Sequence, residues 1–158
     1  MNENDIQKLN NKIPSNRNIE INVSCPNINK SLISDGLKPF LNKERKWCII
    51  KLSPKTENKE IDKFYKSGFR QFHCCNTIPV KEGGLSGPSL RPYTNEKTEY
   101  IKNKYPDSEI ISGGGIQSWN DVECYKRIGA SHFSASTIFF NPYKALQLYY
   151  KYTNNIKN

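Results

Sequence analysis

A chain of 158 residues is long enough for one packed domain with its own core. Its net charge of +9, from 24 Lys plus Arg against 15 Asp plus Glu, is concentrated between Lys38 and Arg70, where ten basic residues face four acidic ones. Such a surface can attract polyanions, but the chain is rich in Lys and Asn alike, which points to compositional bias, and no nucleic-acid partner is expected.

No apolar run approaches the roughly 20 residues of a spanning helix. Met1–Asn18 is polar, so it reads as neither signal peptide nor anchor, and a cytoplasmic protein with no membrane partner is expected. The five cysteines (Cys25, Cys48, Cys74, Cys75, Cys124) contain no CxxC pair, and there are only two histidines to help them. Free thiols in a reducing compartment and no metal site follow.

Residues 1–18 form a polar lead-in or short helix, with Ile6, Leu9 and Ile13 at helical spacing. Ile19–Val23 alternates as a strand that stops at Pro26. Trp47–Leu52 is a continuous apolar strand with Lys51 near its end, closed by Ser53-Pro54. Glu57–Ser67 reads as a helix with Ile61, Phe64 and Tyr65 inward and a lysine stripe outward, ended by Gly68.

Phe69–Asn76 is the third strand and opens onto the loop Lys81–Pro88. Thr94–Lys104 is helical, Glu109–Ser112 is the fourth strand, and Asn120–Ile128 is a helix stopped by Gly129. His132–Ala135 is the fifth strand and Pro142–Tyr152 the closing helix, with a disordered tail over 153–158. Strands alternating with helices mean a parallel α/β sheet with helical crossovers. No GxGxxG follows the first strand, and the unit lengths favour a (β/α)₈ barrel over a doubly wound sheet.

Functional residues of a parallel barrel sit at the carboxyl ends of its strands. Here those ends carry Asn22, Cys25 and Asn27, then Lys51, then Asn76 and Thr77, then Gly113-Gly114-Gly115, then Ser136-Thr137. The interior of a parallel sheet is ordinarily Val, Ile and Leu, so polar residues at five ends imply a shared polar ligand. A strand ending in consecutive glycines brings bare backbone N–H groups to a ligand, usually a phosphate. The last two strands of a (β/α)₈ barrel build such a cradle. A complete barrel needs roughly 250 residues, so 19–152 is read as a partial TIM barrel of about five C-terminal β/α units.

Read in order, Asn22-Val23-Ser24-Cys25-Pro26-Asn27, Lys51-Leu52-Ser53-Pro54, Asn76-Thr77, Gly83-Gly84-Leu85-Ser86-Gly87, Ile110–Ile116 and Ser136-Thr137 resemble the dihydroorotate dehydrogenase family, over its C-terminal half. The resemblance implies an FMN-dependent oxidation of dihydroorotate to orotate in pyrimidine biosynthesis, a CH–CH oxidoreduction. It implies that Cys25 is the base, that Asn22, Asn27, Asn76 and Thr77 bind substrate, and that Lys51 lies beside the flavin. Gly87, Gly114, Gly115, Ser136 and Thr137 would hold the flavin and its phosphate. Cysteine at the base position is similar to the soluble class, whereas Gly84-Leu85-Ser86-Gly87 is more similar to the membrane-associated class.

The front strands of such a barrel are missing from this sequence. A second polypeptide, or a homodimer, is the expected way to complete it. Two readings stay open beside this one. One is another flavin barrel reductase, similar to dihydropyrimidine dehydrogenase or to tRNA-dihydrouridine synthase. The other is a non-catalytic, flavin-binding or vestigial fragment.

Overall fold

The computed structural model describes residues 3–23, 35–75, 77–81 and 83–156. Cys25, Asn27 and Asn76 lie outside the described residues. The elements are α1 (Glu3–Lys12), β1 (Ile19–Asn22), β2 (Cys48–Lys51), α2 (Asn58–Lys66), β3 (Gln71–Cys74), β4 (Ile78–Val80), β5 (Gly83–Leu85), α3 (Arg91–Lys104), β6 (Glu109–Gly113), α4 (Trp119–Arg127), β7 (His132–Ser134) and α5 (Pro142–Ile156). Three 3-10 turns, Lys38–Phe40, Pro88–Leu90 and Thr137–Phe140, lie between them.

Five strands form one parallel sheet in the order β1-β2-β3-β6-β7, so every carboxyl end lies on the same side. This is the α/β architecture of a partial barrel, with β1 and β7 as its two free edges. The sequence pattern finds all five sheet strands. It does not find the antiparallel hairpin β4–β5, which occupies the segment read as a loop after β3. Nor does a tail begin at Thr153, because α5 continues to Ile156.

One face of the sheet is packed. Ile50, Phe72 and Ile110 are fully buried against Ile61 and Phe64 of α2 and Ile101 of α3. The helix α3 also buries Thr94, Lys97 and Thr98, and two of these replace apolar packing with hydrogen bonds. The Thr98 hydroxyl bonds Ser112 Oγ at 2.7 Å, and Thr94 Oγ1 donates to the Gly113 carbonyl at 2.7 Å. The end of β6 is therefore fixed to α3 by polar contacts that a hydrophobic pattern cannot reveal.

The helices α2 and α3 are tied by Asp62, which accepts from Tyr100 Oη and Tyr105 Oη at 2.6 Å each and from Lys104 Nζ at 2.8 Å. Burial opposes ionisation of Asp62, but Lys104 and the two hydroxyls outweigh it and hold the carboxyl down at about 2. The Tyr65 ring stacks on Tyr105 at 3.8 Å, and the Arg70 guanidinium covers its other face.

The apolar surface is unevenly covered at the other end of the chain. Phe140 is 91% exposed, and Tyr143, Leu146 and Tyr150 of α5 stand in solvent beside it. A cleft of about 880 Å³ opens between α4, β7 and α5. A helix apolar on several faces is one that packs on several sides. No helix among the described residues is long and apolar enough to cross a membrane.

Candidate cofactor and substrate site

Successive residues of a strand point to opposite faces, so register places the site. On the face turned away from α2 and α3, Asn22, Lys51, His73, Ile111 and His132 form one row across β1, β2, β3, β6 and β7. Glu20, Ile49, Gln71 and Glu109 form the row nearer the strand starts. This face is far more polar than a parallel-sheet interior should be. The expectation that polar residues cluster only at the strand tips is therefore corrected, because they continue down the inner face.

At the β6–β7 end, two of the expected cofactor residues, Gly87 and Gly115, come together. A Cβ on Gly115 would stand 3.0 Å from the Gly87 carbonyl oxygen, and one on Gly114 would stand 2.7 Å from Leu90 Cδ1. Gln117 Nε2 donates to Thr137 Oγ1 at 3.3 Å, linking the loop after β6 to the turn after β7. Ser136 is exposed next to Thr137. Among the described residues, no protein group accepts from the Gly114 or Gly115 amides, while both carbonyls are taken. Tyr125 Oη donates to Gly114 O at 2.6 Å and Arg91 Nε to Gly115 O at 2.8 Å.

Unclaimed backbone amides and hydroxyl residues at neighbouring strand ends suit a phosphate-bearing group. The residues present thus fit the phosphate of FMN. The reason for glycine is different from the one the sequence suggests. At Gly114 and Gly115 the chain itself, not a ligand, fills the space a side chain would need.

At the β1–β3 end, Lys51 is a half-buried ammonium bound to Glu20 Oε1 at 3.0 Å. The other oxygen, Oε2, lies 2.7 Å from Nδ1 of the buried His73. Burial pushes the Glu20 carboxyl up, but His73 and Lys51 reverse this and leave it below the usual range. Burial lowers His73 and the nearby Lys51 charge adds to that, while Glu20 resists; the net direction is down. Sequence reasoning did not single out Glu20 or His73. The available signal was a histidine in a strand otherwise expected to be apolar.

Asn22 closes β1 in the Lys51 row and is exposed. Thr77 packs against Gly84 of the β4–β5 hairpin, where an added Cβ would meet its Oγ1 at 3.1 Å. Cys48, Cys74 and Cys75 are buried free thiols and Cys124 is an exposed one. Burial leads the shift that pushes the Cys48 thiol up to about 11.

Fold and site together define a segment of an α/β barrel, with a glycine-rich strand end at one side of the sheet and a charged cluster at the other. No family model matches the chain. It is 31% identical over 150 residues to the dihydroorotate dehydrogenase B (NAD(+)) catalytic subunit of Petrotoga mobilis, covering 78% of this chain and 50% of that protein. With the same subunit of Anoxybacillus flavithermus it shares 30% over 165 residues, covering 88% and 53%. The crystal structure of DHODH from Eimeria tenella in complex with ferulenol superposes with a TM-score of 0.73 at 19% identity, over 94% of this chain and 52% of that one. The chain is a homologue of the dihydroorotate dehydrogenases, and it spans about half the length of the curated relatives it matches.

Proposed function

We propose that this chain carries the cofactor-phosphate and substrate-facing half of an FMN-dependent dihydroorotate dehydrogenase. The observation that supports the reading most is the parallel pairing of β6 with β7, whose carboxyl ends lead into Gly114-Gly115 and Ser136-Thr137, in a homologue of that family. Bound there, FMN would supply the hydride acceptor for oxidation of a CH–CH bond.

The chain's own residues then divide the work. Gly87, Gly114, Gly115, Ser136 and Thr137 hold the phosphate end, and Lys51 holds the ring end. Asn22, Asn27, Asn76 and Thr77 bind the substrate carboxylate and ring amides, a task suited to amides that both donate and accept. Cys25 takes the C5 proton of dihydroorotate. A free thiol titrates near about 8.5, so this role needs a site that favours thiolate.

Turnover needs the rest of the barrel beside these five strands, for which a second polypeptide or a second copy is a candidate. The free edges β1 and β7 and the uncovered apolar face of α5 are what a half-barrel leaves open. The test is complementation of a pyrimidine-requiring strain by this chain, with and without a polypeptide carrying the front half of the barrel. Growth is expected with the pair and is abolished by Cys25→Ala. Absence of growth in both arms contradicts the enzymatic reading, and growth with Cys25→Ala removes Cys25 from the base role.

A further inference from the structure

The cluster Glu20–Lys51–His73 joins three neighbouring strands through one carboxylate. Charged and titratable groups on the inner face of a parallel sheet lose solvation, and removing one partner leaves the others unpaired. Glu20 sits one row closer to the strand starts than Lys51 and His73, so its side chain reaches toward the carboxyl ends to meet both.

A carboxylate only accepts, so the 2.7 Å contact assigns the proton to His73 Nδ1 and leaves Nε2 as an acceptor. That Nε2 lies 3.1 Å from where a Cβ on Gly113 would stand, so the first glycine of the triplet makes room for the imidazole. Glu20 from β1 and Lys51 from β2 are the charged groups that face His73, whereas Gly113 and Ser134 from β6 and β7 carry no charge.

We propose that Glu20 is a positioning residue for the ring end of the cofactor site: it draws the Lys51 ammonium down onto the inner face and locks His73 with Nε2 as a hydrogen-bond acceptor. The cofactor part of this statement rests on the flavin reading above, and the locking of Lys51 and His73 does not. Before reduction the flavin ring is uncharged, so Lys51 contributes to its binding by direction more than by net charge. Loss of Glu20 therefore weakens binding although it leaves the site more positive.

The experiment uses the full chain and two readouts. Nitrogen-15 NMR of the histidine side chains, without flavin, is expected to show His73 as the Nδ1–H tautomer at pH 7. In Glu20→Ala the Nε2–H form should predominate, as in free histidine. Flavin fluorescence then gives FMN affinity for Glu20→Ala, Lys51→Met and the double variant. Each single variant is expected to lose about tenfold, and the double variant no more than Lys51→Met alone.

An unchanged His73 tautomer in Glu20→Ala, or losses that multiply in the double variant, overturns the proposal. Should Glu20→Ala not fold, Glu20→Gln keeps the volume, removes the charge and is judged by the same double-variant comparison. If the parent chain binds no FMN, the flavin reading falls and the tautomer alone decides whether Glu20 positions His73.

Discussion

Gly115→Ala is expected to destabilise the chain by about 4 kcal/mol, combining left-handed backbone strain with overlap that the surroundings cannot relieve. Gly115 has φ +80°, and its added Cβ would lie 2.7 Å from Arg91 Cγ and 3.0 Å from both the Gly87 carbonyl oxygen and Pro88 Cα. The arginine side chain can move, but the two backbone atoms begin the 3-10 turn Pro88–Leu90 that leads into α3. Gly87 provides the comparison, with φ +87° and nothing within 4 Å of an added Cβ. Gly87→Ala should cost about 2 kcal/mol, from strain alone. Urea denaturation of the two variants measures the difference. Equal losses would mean that the loop after β6 is not packed on the entry to α3 as described, and the triplet would then owe its glycines to a ligand.

Arg45→Ala is the second large loss, expected at about 3–4 kcal/mol. Arg45 is only 6% exposed although it carries a full charge. Its Nε donates to Arg17 O at 2.6 Å, its Nη1 to the Phe40 carbonyl and its Nη2 to Pro14 O at 3.4 Å. One guanidinium thus satisfies carbonyls from the α1–β1 connection and from the 3-10 turn Lys38–Phe40, both next to the start of the sheet. Alanine leaves the Arg17 carbonyl without a donor, strips a charge-assisted bond from Phe40 O and Pro14 O, which keep the Cys48 thiol and the Arg17 N–H, and opens a cavity beside Cys48. Lysine offers a single point of donation and should recover less than half of the loss. An unfolding free energy from urea denaturation of Arg45→Ala within about 1 kcal/mol of the parent would contradict this role.

The strands that the sequence reveals most clearly are those with continuous apolar runs, such as Cys48-Ile49-Ile50 and Ile110-Ile111, which are buried on one face and partly buried on the other. The helix α2 is equally legible, since Ile61 and Phe64 recur at helical spacing and Glu57 and Glu60 close a capping box at its start. Less was legible in α3. Its buried face holds Thr94, Lys97 and Thr98, which read as solvent-facing until β6 supplies Ser112 and the Gly113 carbonyl as partners.

The candidate site divides in the same way. The glycines and hydroxyls after β6 and β7 are visible because each motif is contiguous. The Glu20–Lys51–His73 cluster is hidden because Glu20 is separated from the other two by 31 and 53 residues and meets them only across neighbouring strands. Lys51 was singled out for its place at a strand end. Its partner was not, because a glutamate in the alternating Ile19–Val23 segment looks like the solvated half of the pattern. The hairpin β4–β5 was missed for a related reason: Gly83-Gly84 reads as a turn, while here both residues belong to a strand.

The central claim is that the ends of β6 and β7 recognise a phosphate carried by a flavin. Titration of the purified full chain with FMN and with riboflavin, followed by flavin fluorescence, tests it most directly, because the two ligands share a ring system and differ by the phosphate. Charge-assisted hydrogen bonds to that group are worth about 1.5–3 kcal/mol each, so FMN should bind at least about tenfold more tightly than riboflavin. Equal affinity for the two, or no binding of either, would contradict the cradle.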